Sequence, residues 1–291
     1  MQIAVHLGAH CTDEGAVLRC LMRNADLLTA EGIAVPDPAQ YRAALREAVE
    51  ALGAGIPAPG QRDALLAGLA GTSAPDRVVL SLDTLMAFPR WTLGRGLFYP
   101  VAAERLAALR ALLAGTELEL FLAIRDPATF LPALFERQRV KSYQEFVEGT
   151  DPLLLRWSEL AERLVAAVPG VPLTVWCDED TPLILPEVLR EIAGLDPWTQ
   201  LQGDTENLRG IMAPEGYARL LDYLARTPPQ TEIQRRRIVA AFLDKYVLPE
   251  KVEMELDLPG WTDAYVAAIS AAYDEDVDRL RRLPGVRLIA P

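Results

Sequence analysis

Four runs of the chain are apolar on successive positions and too short for a helix: Ile3-Ala4-Val5-His6-Leu7, Arg77–Leu82, Leu118–Ile124 and Pro172–Cys177. Runs of this length, buried on both faces, read as strands of a parallel sheet. Ile33-Ala34-Val35, ended by Pro36 and Pro38, and Val286–Ile289 add two shorter strands. Between them the apolar period lengthens to that of a helix. It does so over Asp13–Ala30, which Glu31-Gly32 closes, and over Tyr41–Leu52, Asp63–Leu69 and Val101–Ala114. Asp126-Pro127 opens the next helix, with Phe130, Leu131, Leu134 and Phe135 on one face. Leu153–Val168, Leu183–Ala193, Glu215–Arg226, Glu232–Tyr246 and Trp261–Arg282 follow.

Strands alternating with helices predict an α/β fold of three layers, a mostly parallel sheet flanked by helices. No repeat or linker divides it, so residues 1–291 are expected to form one domain, its helix-rich C-terminal third packing on the same sheet. The stretch Asp83–Tyr99 has no period and contains Pro89, Trp91, Gly94 and Gly96, which suits an active-site loop or lid. Asp196–Pro214 is irregular too.

Composition narrows the function. The net charge of −12 argues against nucleic acid and against anionic membrane surfaces. No apolar run approaches the roughly 20 residues of a membrane span, and Met1-Gln2 leads straight into a strand without a signal-peptide pattern, so the cytoplasm is the expected compartment. The three cysteines, Cys11, Cys20 and Cys177, form no C-x-x-C pair. Cationic chemistry is almost all arginine, because the only lysines are Lys141, Lys245 and Lys251.

Candidate chemistry concentrates where the first strand breaks at Gly8 and the chain turns through Ala9-His10-Cys11-Thr12-Asp13-Glu14-Gly15 into a helix. A strand, a tight loop and a helix N-terminus gather backbone N–H groups at the positive end of a helix dipole, the geometry of a phosphate-binding loop. His6 and His10 straddle a strand end, so a buried and a loop histidine are expected rather than a metal pair, and no metal site is assigned. Cys11 lies near a helix N-terminus, but Asp13 and Glu14 oppose a thiolate there, so an inert loop cysteine is expected. Asp83, after a buried strand, suits a general base for an acceptor hydroxyl and equally a turn cap.

On these residues the chain resembles sulfotransferases of the P-loop superfamily, in particular the bacterial sulfotransferase-like proteins. Gly8, Ala9, His10 and Thr12 match the family's first loop, and Asn24-Ala25-Asp26-Leu27-Leu28 with Gly32-Ile33-Ala34-Val35-Pro36 match its trailing pattern. Arg125 ends a strand where the family places an arginine that holds the 3′-phosphate of the donor, 3′-phosphoadenosine 5′-phosphosulfate (PAPS); Phe135, Gln138 and Lys141 continue the helix after it. Val79–Asp83 resembles the strand ending near the acceptor, with Asp83 in the acidic position. Glu206-Asn207 and Ala213-Pro214-Glu215 resemble a late asparagine-containing segment. Arg235-Arg236-Arg237 is expected to form a solvated helix face, though in relatives a late basic run helps cover the donor. The resemblance implies sulfate transfer from PAPS to a small-molecule or carbohydrate hydroxyl, the donor held by Gly8, Ala9, His10, Cys11, Thr12, Asp13, Glu14 and Gly15, by Arg125 and at the position of Ala133.

The departures fall on the chemistry. The family's lysine is Cys11, its glycine and second threonine are Asp13 and Glu14, and the 3′-phosphate serine is Ala133. A carboxylate about 5 Å from a phosphate charge is repelled by roughly 3 kcal/mol at an effective dielectric near 20. Two such carboxylates approach ~6 kcal/mol, or about four decades of affinity. Asp13 and Glu14 can also cap the free N–H groups of the helix themselves, and Arg125 is expected to pair with a carboxylate such as Asp126, Asp13 or Glu14. Two functions follow: a PAPS-dependent sulfotransferase, with Asp83 as base, assisted by His10, and Arg125 on the donor; or a protein of the same fold that has lost donor binding and acts as a binding or scaffold protein.

Overall fold

A computed structural model describes residues 1–70, 74–138, 142–147, 149–252, 254 and 258–291. Lys141, one of the residues matched above, lies outside them. The strands in chain order are β1 (Gln2–His6), β2 (Ile33–Ala34), β3 (Arg77–Ser81), β4 (Leu93–Gly94), β5 (Leu97–Phe98), β6 (Glu117–Ile124), β7 (Leu173–Cys177) and β8 (Val286–Ile289). Six of them form one sheet in the order β2-β3-β1-β6-β7-β8, every neighbouring pair parallel. β4 and β5 make a separate antiparallel hairpin. The α/β architecture read from periodicity is the one observed.

Alternation along the central strands sorts the core into two layers. Ile3, Val5 and Leu7 face the larger one, with Leu120, Leu122 and Ile124 beside them. Helices Pro38–Leu52, Ala102–Leu112, Pro127–Glu136, Trp157–Ala167 and Asp263–Leu280 cover that face through residues such as Leu45, Leu109, Phe130, Leu160 and Tyr273. Ala4, Val79, Phe121 and Trp176 point the other way, onto helices Ala16–Arg23, Ala25–Ala30 and Thr181–Ala193.

Only part of the C-terminal third rests on the sheet. Helices Pro214–Arg226 and Glu232–Tyr246 pair around a small cluster of their own, Leu208, Met212, Leu220 and Val239. Gly216 permits that pairing, because a methyl group there would stand 2.3 Å from Tyr246 Cβ. The expected solvated face at Arg235–Arg237 is corrected as well. Arg235 is buried and donates to Asp204 Oδ2 at 3.1 Å, and Arg236 pairs with Glu187 and reaches the carbonyl of Ala290, while Arg237 is exposed. These side chains tie the helix pair to the body.

Other differences have local causes. The single first helix expected from Asp13 begins at Ala16 and breaks at Asn24. The buried Asn24 side chain donates to the carbonyls of Cys20 and Gln202 and accepts from Gln202 N, binding the irregular 196–214 segment to this helix. The helix expected from Leu153 starts at Trp157. Its first N–H groups are taken by Asp276, whose Oδ2 accepts from Trp157 N at 2.6 Å and Ser158 N at 3.0 Å while Oδ1 accepts from the Ser158 hydroxyl. The stretch 83–99 is no detached lid: Leu85, Met86, Ala87, Phe98 and Tyr99 are buried in the larger core.

Candidate functional site

The carboxyl ends of β1, β3, β6 and β7 lie side by side, and the segments that leave them carry the candidate residues, as expected where ligands bind open parallel sheets. The first loop turns sharply. Gly8, Cys11, Glu14 and Gly15 all adopt positive φ (+55°, +58°, +49° and +75°), and two of the four are residues for which this conformation is strained. Thr12 donates its hydroxyl to the carbonyl of Ala9 at 2.7 Å and holds the turn closed. A methyl added at Gly8 would make only ordinary contacts, 3.7 Å from His6 Nε2 and 4.0 Å from Asp83 Cα, so it is the φ of +55° that favours glycine there.

The two acids of the loop, which precede the helix, take separate positions. Asp13 turns inward, its Oδ2 accepting the N–H of Val17 at 3.0 Å, so a carboxylate occupies the N-terminus of helix Ala16–Arg23. Glu14 turns outward and pairs with Arg137, while its carbonyl accepts from Arg19 at 2.6 Å.

Arg125 departs from the expected ion pair. Its Nη1 donates to the carbonyl of Cys11 at 2.7 Å and its Nε to Thr129 Oγ1 at 2.9 Å. No carboxylate among the described residues lies within ion-pair distance of it. Asp126 instead caps helix Pro127–Glu136 through Ala128 N and accepts from the Ser270 hydroxyl at 2.5 Å. Ala133, at the serine position of the resemblance, packs half-buried against the larger core.

Burial pushes the Cys11 thiol up to about 11; Arg137 and Arg125 oppose the shift and Glu14 and Asp178 add to it. The thiol is protonated at neutral pH, as the inert reading expects. Cys20 and Cys177 are likewise buried, free thiols raised by burial.

His10 lies against the hairpin. Tyr99 Oη accepts its main-chain N–H at 2.9 Å and stands 2.9 Å from its Nδ1, with Thr92 Oγ1 at 3.3 Å and the two rings stacked. Tyr99 itself has φ +48° and is held by Arg163, which donates to its carbonyl and to that of Phe98. Burial lowers the His10 pKa to about 4, against a raising effect of Asp83. An imidazole whose folded pKa lies below its unfolded value of ~6.5 contributes stability above that value and loses it as pH falls. Between about pH 7 and pH 4.5 this loss comes to about 2 kcal/mol. Urea titrations across that range are expected to give a shallower pH dependence for His10→Gln by this amount; coincident slopes would rule out a buried neutral imidazole. His6 is buried deeper, stacked on Trp176 with Nδ1 3.3 Å from Ser81 Oγ, and burial lowers its pKa also.

Asp83 is half-exposed and its Oδ2 accepts from Arg42 at 3.3 Å; the same guanidinium donates to Ser81 O and Oγ. At the end of β7, two strands across the sheet from β1, is a further carboxyl group, Asp178, that the motif reading did not single out. Burial raises the Asp178 pKa to about 7, with Arg125 opposing and Glu179, Asp13 and Glu14 adding to the shift. A group that titrates near neutrality beside a loop of this kind has acid–base capacity. The available signal was the run Asp178-Glu179-Asp180 at the carboxyl end of the fourth buried strand. Tyr99, Thr92, Thr129 and Arg137 had no such signal.

Cavities of about 430 and 400 Å³ lie away from this loop, against helices Pro214–Arg226 and Glu232–Tyr246. Among the described residues no group of three or more His, Cys, Asp or Glu is placed to hold a metal ion, and no helix is long and apolar enough to cross a membrane. Comparison with protein-family models, curated proteins and solved structures finds no match to this chain.

Proposed function

We propose that this chain keeps the architecture of the PAPS-dependent sulfotransferases without their donor chemistry and works as a binding or scaffold protein. One observation carries the reading: the Asp13 carboxylate accepts the Val17 N–H, filling the helix N-terminus that a phosphate would need. A phosphate brought there would displace that hydrogen bond and meet the same negative charge. The neighbouring positions support it. Cys11 supplies a neutral thiol where a cation is required, and Ala133 offers no hydroxyl.

The sulfotransferase reading draws on Arg125. A guanidinium carries five N–H donors, and the two hydrogen bonds described for Arg125 leave others to meet an anion. In that reading Asp83 or Asp178 is the base for a hydroxyl acceptor, with His10 beside it. Three buried free thiols fit a reducing compartment such as the cytoplasm for either reading.

Calorimetric titration with 3′,5′-adenosine bisphosphate (PAP), the desulfated donor, separates the two. No heat of binding is expected up to millimolar ligand. A dissociation constant in the micromolar range would overturn the scaffold reading.

A further inference from the structure

Helices Pro214–Arg226 and Glu232–Tyr246 enclose a groove of about 400 Å³ remote from the β1 loop. Its walls carry three cationic side chains, Arg219, Arg226 and Lys245, against the single carboxylate of Asp222, in a chain whose net charge is −12. Asp222 pairs with Arg226 at 2.9 Å, and Arg219 pairs with Glu215 at 2.5 Å outside the lining. Lys245 has no carboxylate within 4.0 Å among the described residues; its ammonium stands over the Tyr246 ring, 5.3 Å from the centroid.

The remaining walls are aromatic. Tyr223 and Phe242 rings lie 5.8 Å apart, and Phe242 and Tyr246 stack at 6.1 Å. Tyr223 is exposed and its ring is open to a ligand from solvent. Arg219 donates to Tyr246 Oη at 3.0 Å and helps fix that ring.

An ammonium without a carboxylate partner, flanked by two arginines and set beside aromatic rings, matches one ligand chemistry, an anionic group on a planar apolar body. The anion takes charge-assisted hydrogen bonds from Lys245 and the arginines, and the body stacks on the rings. A bare inorganic anion would gain only the first contribution while entering the field of a strongly acidic protein. We propose that this groove is a binding site for small aromatic anions, arenesulfonates and arenecarboxylates among them, independent of the β1 loop.

The test uses the intact protein and the fluorescent probe 8-anilinonaphthalene-1-sulfonate. Saturable binding at one site is expected, with a dissociation constant of about 10–100 μM. Lys245→Glu is expected to weaken it at least ~10-fold and Lys245→Arg to leave it within about twofold. Lys245 is exposed, so neither change disturbs a buried contact, and circular dichroism checks the fold. 1-Naphthoate should displace the probe, whereas 1-naphthalenemethanol and inorganic phosphate should not. Undiminished binding by Lys245→Glu, equal competition by the neutral alcohol, or absence of saturable binding would each overturn the proposal.

Discussion

Asp276→Ala is expected to lower the unfolding free energy by about 4 kcal/mol, a large share of the 5–15 kcal/mol typical of a folded chain. The Asp276 carboxylate is buried between two helices and receives Trp157 N–H, Ser158 N–H and the Ser158 hydroxyl. Truncation leaves two main-chain donors and a hydroxyl buried at a helix N-terminus with no acceptor. It also removes the negative charge that the helix dipole favours there. Hydrogen bonds to an ionised group contribute roughly 1.5–3 kcal/mol each. Three together come to less than their sum, because the alanine variant no longer desolvates a carboxylate. Asp276→Asn keeps one acceptor and should lose about half as much. Urea unfolding followed by circular dichroism measures both, and a loss under ~1 kcal/mol for alanine would mean that the helix N-terminus is satisfied by something else.

The second large effect concerns the β1 loop. Cys11→Lys with Asp13→Gly is expected to raise affinity for PAP by about 100-fold over the unaltered chain. Removing Asp13 relieves roughly 3 kcal/mol of repulsion and frees the Val17 N–H, and the lysine adds an attractive charge. Cys11 already carries a Cβ at φ +58°, so lysine there adds no new backbone strain. Glu14 is left in place, since it points outward to Arg137 and its φ of +49° would strain a β-branched threonine. Cys11→Lys alone retains the Asp13 carboxylate and should gain little. If the folded double variant shows no PAP binding by calorimetry, the loop is not a blocked phosphate site.

Much of the architecture is legible in local pattern. β3 and β7 were readable from runs such as Val78-Val79-Leu80 and Val175-Trp176-Cys177, because burial on both faces leaves few polar positions to break the run. Helix Glu232–Tyr246 begins and ends where periodicity places it, with Thr231 as its cap. Asn24 escaped that reading. Its break in the first helix depends on a hydrogen bond to Gln202, 178 positions away.

The candidate site divides along the same line. The sequence alone established a parallel sheet whose first strand ends in a tight loop holding a cysteine and two acids where cations and hydroxyls stand in the family it resembles. The Asp13 contact with the helix N-terminus spans four positions and was readable locally, but tertiary structure sent Glu14 out to Arg137, 123 positions on. It turned Arg125 onto the Cys11 carbonyl, 114 positions away, and set His10 on Tyr99, 89 positions away. Secondary structure follows the spacing of apolar residues within a few turns, which any window of the chain contains. The charge state of Asp178 and the partners of Arg125 depend on burial and on Coulomb contacts between strands far apart in the chain, which only the folded sheet brings together.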